Sequence, residues 1–190
     1  MKATMAIAGL AVLAGLGWNT PAEAAAMLEV AGSSTYDQVT SNGMRDGGMY
    51  AAPGWGVNSA GTAVGYSRKY VSGSDKGDRA VRWDAGGTAA TELDNLGLDT
   101  TGITGARAYA INNAGTAVGY CAKYDSGDYK GTRAVRWNAG GTAATELGTL
   151  GMDGWDSTDA CAYAVNNAGT AVGYCDRHAL GNSQGRAAVR

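Results

Sequence analysis

Two hydrophobic patterns follow one another along the chain. Residues 3–18 form a near-continuous apolar run. From residue 53 onward the apolar positions come in short bursts, broken by Gly, Asn, Asp and Ser. The bursts recur. Val57-Asn-Ser-Ala-Gly-Thr-Ala-Val-Gly-Tyr66 returns as Ile111-Asn-Asn-Ala-Gly-Thr-Ala-Val-Gly-Tyr120 and as Val165-Asn-Asn-Ala-Gly-Thr-Ala-Val-Gly-Tyr174, a period of 54 residues. A second block, Arg79 to Leu93, returns at Arg133 to Leu147, and its third copy begins at Ala187 and runs to Arg190. A fixed period of this length marks a repeat architecture.

Each unit reads as two hairpins. Asn112-Asn113-Ala114-Gly115-Thr116 predicts a three-residue loop, a type I turn followed by a left-handed glycine that forms a G1 bulge. Counting outward from that loop pairs Ile111 with Ala117, Ala110 with Val118, Tyr109 with Gly119 and Ala108 with Tyr120. Both faces are then apolar, with large residues opposite small ones. A half-exposed antiparallel hairpin shows one polar face, so this one is expected to be buried on both sides. The second hairpin follows Trp83 and Trp137, which end strands before Asp/Asn-Ala-Gly-Gly turns. The expected fold is therefore all-β: a β-propeller-like stack of four-stranded antiparallel blades, incomplete at about three blades. An open solenoid of small sheets is the alternative.

The motif Ala-Tyr-Ala-Ile-Asn-Asn-Ala-Gly-Thr-Ala-Val-Gly-Tyr, followed by Arg-Ala-Val-Arg-Trp-Asn and Glu-Leu-Gly-Thr-Leu-Gly-Met, resembles the HAF-repeat family of probable extracellular proteins. The eponymous His-Ala-Phe is replaced here by Arg79-Ala80-Val81 and Arg133-Ala134-Val135. The resemblance runs from about Pro53 to the C-terminus. It implies export and a propeller-like fold, and no activity or catalytic residues.

Composition supports small, closely packed sheets. Glycine is abundant at 31 of 190 residues, proline numbers 2, and phenylalanine is absent. The formal charge is −2 with no basic cluster, which argues against a nucleic-acid partner. The start of the chain, Met1-Lys2, an apolar run to Trp18 and then Ala22-Glu23-Ala24, has the layout of a secretory signal peptide. Cleavage is expected after Ala24 or Ala26, with the mature chain secreted or at the cell surface and without a membrane span. The organisation is thus 1–24 signal peptide, 25–52 an N-terminal strand and loop segment, 53–106 repeat 1, 107–160 repeat 2 and 161–190 a partial repeat 3. Propellers typically have four to eight blades. A truncated gene product is one expectation. A last strand supplied by Met27-Leu28-Glu29-Val30, with self-association through open blade edges, is the other.

Three cysteines occur in this exported chain. Cys161 and Cys175 fall directly opposite each other if the hairpin count is carried outward without interruption. As a non-hydrogen-bonded pair their alpha carbons would lie ~4.5 Å apart, within disulfide reach, and a Cys161–Cys175 disulfide is expected. Cys121 then has Arg107 opposite it and no thiol partner. No metal or other cofactor is expected, because three scattered cysteines and His178 lack zinc-ligand spacing.

Other candidates are weighed against plainer roles. Arg79 with Glu92 and Arg133 with Glu146 read as cross-strand surface ion pairs. Arg82, Arg136 and Arg190 recur at one position and are candidates for binding an acidic ligand. Asp75 and Asp78, or Asp125 and Asp128, offer weak calcium-type loops. Gly181-Asn182-Ser183-Gln184-Gly185 matches a nucleophile elbow in letters, but that motif needs a strand-to-helix turn and a histidine later in the chain. Here the sole histidine, His178, precedes it. The expected function is an exported, non-enzymatic structural or binding scaffold with a glycan or a protein as ligand. The alternatives are a propeller-type glycan-active enzyme using Glu92 and Glu146, and a calcium-dependent adhesion module.

Overall fold

A computed structural model of the chain describes residues 54–190. The expected signal peptide and the segment 25–52, with Met27–Val30, lie outside the described residues. The described part is all-β. The first antiparallel sheet contains β1 (Gly54–Val57), β2 (Ala63–Val71), β3 (Ser74–Trp83) and β4 (Ala90–Glu92), in that order. The second has the same order in β5 (Ala106–Ile111), β6 (Ala117–Asp125), β7 (Asp128–Trp137) and β8 (Ala144–Glu146). The third holds β9 (Ala160–Val165), β10 (Ala171–Ala179) and β11 (Asn182–Val189), with β10 in the middle.

Turn chemistry explains the meander. In the first hairpin of each unit the glycine of the Asn-x-Ala-Gly loop is left-handed, with φ of 84° at Gly61, 86° at Gly115 and 82° at Gly169. The asparagine and threonine exchange a backbone bond, as from Asn112 N–H to Thr116 O at 3.0 Å. The expected G1-type loop is therefore present three times. The central hairpins turn on Ser72-Gly73, Ser126-Gly127 and Leu180-Gly181, where both residues have positive φ, the signature of two-residue type I′ loops.

The sheets stack in chain order, β2 and β3 against β5 and β6 and β7 against β9. The second sheet is the filling. On one side Ala106, Ala108, Ile111, Ala117, Val135 and Trp137 pack with Val64, Ala80 and Leu93 of the first sheet. On the other, Val118 and Ala134 meet Ala160, Ala162 and Cys175 of the third. Burial on both faces, expected from the paired apolar patterns, holds for this sheet. The large-opposite-small pattern is what lets neighbouring sheets come close.

Polar side chains fix the stacking register. Asn58 Nδ2 donates to Asn112 O at 3.2 Å, and Asn112 Nδ2 donates to Asn166 O at 2.9 Å. Beside them Ser59 N–H donates to Asn113 Oδ1 and Asn113 N–H to Asn167 Oδ1, both at 3.0 Å. The same Asn112 closes its own turn, its Oδ1 accepting from Thr116 N–H at 2.9 Å. Because Asn112 is buried, Asn112→Ala removes both the bond to Asn166 O and the turn-closing bond from Thr116 N–H and is expected to cost about 2 kcal/mol. Asn113→Ala, at an exposed position, is expected to cost clearly less. Urea unfolding of the two variants would compare them.

The linkers between sheets are also structural. Residues after β4 run beside β6 in a parallel bridge, Leu96 with Lys123, and those after β8 do the same with Leu150 and Arg177. The linker crosses Gly77 and Gly131 so closely that a Cβ there would lie 2.0 Å from Thr104 O and 2.2 Å from Thr158 O.

Candidate functional site

The first hairpin does not keep its register. Ile111 pairs with Ala117 and Ala110 with Val118, as expected, but then Ala108 pairs with Gly119 and Arg107 with Tyr120. Tyr109 is the extra residue of a β-bulge. The same shift leaves Tyr163 unpaired between Ala162 and Ala164 in β9, and Trp55 between Gly54 and Gly56 in β1. These three aromatics are repeat equivalents. A bulge re-aims the side chain it carries, and here it turns one aromatic per sheet into a common row.

The row is continuous. Trp55 stacks on Tyr109 with centroids 4.4 Å apart and planes 8° from parallel, and Tyr109 lies 5.5 Å from Tyr163 at 42°. A second set, Tyr66, Tyr120 and Tyr174, flanks it at 5.7–5.8 Å. Arg107 sits over the Tyr66 ring at 4.2 Å and Arg186 over Tyr174 at 3.8 Å, within cation–π range. Arg107 is held by Asp78 through Nε at 2.9 Å and Nη2 at 2.5 Å. Burial pushes the Tyr120 hydroxyl up to about 12, and burial raises Tyr109 as well. Both stay neutral donors at physiological pH. The ends of the row are open: Trp55 is 44% and Tyr163 55% exposed.

The bulge overturns the expected disulfide. Cys161 pairs with Tyr174 and Cys175 with Ala160. A one-residue shift moves a side chain to the other face of the sheet, so the two thiols point away from each other. All three cysteines are free and buried. Burial raises the Cys121 thiol and pushes Cys161 up to about 12, so those two hold little thiolate at pH 8, and Cys175 is fully enclosed. Iodoacetamide at pH 8 is expected to leave the folded chain unmodified. In denaturant without reductant it should add to all three thiols, as read by mass spectrometry, and two missing adducts would restore the disulfide.

The arginine–glutamate pairs form as expected but are not surface pairs. Arg79 Nε lies 3.1 Å from Glu92 and Arg133 Nε 3.0 Å from Glu146, with the arginines 3% and 1% exposed. Each guanidinium also holds the linker to the next sheet. Arg133 Nη1 donates to Thr158 O at 2.6 Å and Nη2 to Asp156 O at 3.2 Å. Arg79 donates to Thr104 O and Gly102 O in the same way. Lys69 and Lys123 reach the second oxygens of Glu92 and Glu146. Burial lowers the Arg79 pKa, with Glu92 acting against that shift.

The three candidate ligand arginines do not converge. Arg82 donates to Asp84 at 2.9 Å and to Gly141 O of the second sheet at 3.0 Å. Arg136 and Arg190 both line a cavity between the second and third sheets. Asp75 accepts from Arg68 and from Gly77 N–H, and the Arg68 hydrogen bond holds its carboxyl below the usual range. Asp78 is bound by Arg107 and Arg68, so the first calcium-type loop faces guanidinium groups. Among the described residues no cluster of three metal-type side chains occurs. Ser183 and His178 face each other across the β10–β11 hairpin, and a β-hairpin is not the strand-to-helix turn that a nucleophile elbow needs. Among the described residues no helix is long and apolar enough to cross a membrane.

Sequence reasoning missed the aromatic row because unbroken alternation buries Tyr109. The available signal was Gly119. A Cβ there would sit 1.9 Å from Arg107 O, and at Gly173 1.9 Å from Cys161 O. At Val118-Gly119 and Val172-Gly173 the glycine is where the bulged strand presses on its partner.

Stacked antiparallel sheets joined by period-54 polar contacts define an all-β repeat protein. The chain belongs to the family described as proteins of unknown function, DUF3466, whose model matches residues 24–189. No curated protein and no solved structure matches the chain.

Proposed function

We propose that the chain is an exported, non-enzymatic scaffold whose sheets form part of a β-propeller-like ring and whose bulge-borne aromatic row is the ligand-facing surface. One observation carries this reading. The recurring charged and amide side chains of the unit close joints within and between sheets, whereas the recurring aromatics end in exposed rings. Glu92 and Glu146, the carboxylates a glycan-cleaving enzyme would use, each accept from a lysine and an arginine. Similarity to HAF-repeat proteins and the signal-like start support export. Flat aromatic faces at the row ends suit sugar rings or an aromatic-bearing protein segment.

Native affinity electrophoresis through gels containing neutral polysaccharides tests the ligand class. Retardation by at least one polysaccharide that disappears in Trp55→Ala/Tyr163→Ala is the expected result. Unchanged retardation in the double variant, or release of reducing ends from the polysaccharide, overturns the proposal. Retardation by none, with a protein captured instead through Tyr163, retains the scaffold and assigns a protein ligand.

A further inference from the structure

At one rim of the stack the turns of neighbouring units differ in a way that the fold does not require. The linker between the second and third sheets makes a tight turn over Asp153-Gly154-Trp155-Asp156-Ser157. Asp153 Oδ1 accepts from Trp155 N–H and Ser157 N–H, both at 2.9 Å. Asp153 N–H donates to Ser157 O at 2.9 Å, and Lys130 Nζ donates to Trp155 O at 3.2 Å. The backbone of the turn is thus fixed, yet the Trp155 side chain is 80% exposed. The β10–β11 tip lies against this turn. Asp153 forms a parallel bridge with Gly181, whose Cβ position would stand 3.5 Å from Gly154 N. Leu180, beside that contact, is fully exposed with a φ of 51°, a left-handed conformation that strains a branched side chain. Met152, also exposed, precedes the bridged Asp153.

The preceding unit is an internal control. Moving back by 54 residues turns Trp155 into Thr101, Leu180 into Ser126, and Ala179 and Asn182 of the tip into Asp125 and Asp128. The same turn bonds are made there. Asp99 Oδ1 accepts from Thr101 N–H and Ile103 N–H, and Lys76 Nζ donates to Thr101 O. Neither turn therefore needs a large apolar side chain at its tip. Thr101 and Ser126 are exposed although the second sheet is covered on both faces, so exposure belongs to the rim position itself. One exchange runs the other way, Ile103 to Ser157, but Ile103 leans on its hairpin, with Cγ2 3.3 Å from the Cβ position of Gly77. The third tip has exchanged hydroxyls and carboxylates for an indole and a leucine at places that face solvent in both units.

We propose that this rim is a lipid-docking edge, with Trp155, Leu180 and Met152 entering the headgroup and upper acyl region of a zwitterionic bilayer. An indole, with its apolar body and single N–H, suits the boundary between acyl chains and headgroups. Projecting tips enter a lipid surface without the shaped pocket that a protein partner would have to supply. The three side chains offer under about 500 Å², short of the ~800 Å² per partner of a stable protein interface, which disfavours a second copy. Charge selects the lipid. The tip lacks the carboxylates of Asp125 and Asp128, while Asp156 keeps one exposed beside Trp155, so neutral headgroups suit it better than anionic ones. Because the turn is already fixed, insertion orders little backbone. The rim lies about 20 Å along β10 from the bulge at Tyr163, at roughly 3.4 Å per residue, and docking there leaves the aromatic row to its own ligand.

The test uses the full chain and phosphatidylcholine vesicles with brominated acyl chains, since bromine quenches a tryptophan only at close contact. The comparison is Trp155→Thr/Leu180→Ser, which copies the second unit and should melt like the parent. Quenching of the parent at saturating lipid is expected to exceed that of the variant at least about twofold. Reading the difference isolates Trp155, so attachment of the chain through any other segment does not register. Equal quenching of parent and variant overturns the proposal, as does a difference that appears only after phosphatidylglycerol is added. A self-associated parent that the variant turns monomeric in sedimentation velocity without lipid overturns it too, because a second copy would then hold the rim.

Discussion

Arg133→Met is expected to destabilise the protein by about 3–5 kcal/mol, lowering Tm by roughly 10 °C. The guanidinium is 1% exposed and carries the linker carbonyls of Asp156 and Thr158 together with Glu146. Methionine fills much of the volume but donates nothing. Two carbonyls then lose buried donors, and Glu146 is left with Lys123 alone. The contrast is Arg186→Met. That residue pairs with Asp176 at 2.7 Å on a side chain 55% exposed, and a surface pair contributes only about 0–1 kcal/mol. Thermal and urea unfolding of both variants measure the difference. Equal costs would mean that Arg133 does not latch the second sheet to the third.

The second large effect is expected at Gly119. A methyl group there would lie 1.9 Å from Arg107 O and 3.0 Å from the Ala108 alpha carbon. Backbone cannot move aside as a flexible side chain does, so Gly119→Ala must shift the bulge or part the strands. A cost of about 3 kcal/mol is expected, at the upper end for overpacking. Gly148→Ala, which meets no atom within 4 Å, is the matched control and should be near neutral. Circular dichroism melts decide stability, and quenching of tyrosine and tryptophan fluorescence reports on the aromatic row. A variant that melts like the parent but loses the ring stacking would still place the bulge under Gly119's control. A variant unchanged in both would remove Gly119 from that role.

Much of the fold follows from the sequence, for local reasons. The loop Asn112-Asn113-Ala114-Gly115 has few conformations open to it, and its left-handed glycine gave the turn and the first two residue pairs correctly. The period of 54 exposed the stack, because a unit apolar on both faces has to be covered on both. What escaped depends on contacts between distant backbones. The bulges at Tyr109 and Tyr163 arise where Gly119 and Gly173 let a strand crowd its partner, and counting pairs outward from a turn cannot register an inserted residue. The disulfide expectation failed for that reason alone. The burial of Arg79 and Arg133 escaped for another. Arginines within reach of glutamates on neighbouring strands look solvated until the linker around Gly102 or Asp156 is known to fold over them. The candidate site was legible as three repeated aromatics and hidden as a row.

The asparagine chain from Asn58 through Asn112 to Asn166 acts as a counting device for the gene as well as for the fold. The Asn58 and Asn112 amides each spend a donor on the turn one unit ahead. An insertion or deletion of a whole unit therefore reproduces every link, whereas one of any other length leaves a buried amide facing the wrong turn. Variation in length among proteins built this way should come in quanta of one unit, with smaller changes confined to hairpin tips such as Ser72-Gly73, where no atom lies within 4 Å of the glycine's Cβ position.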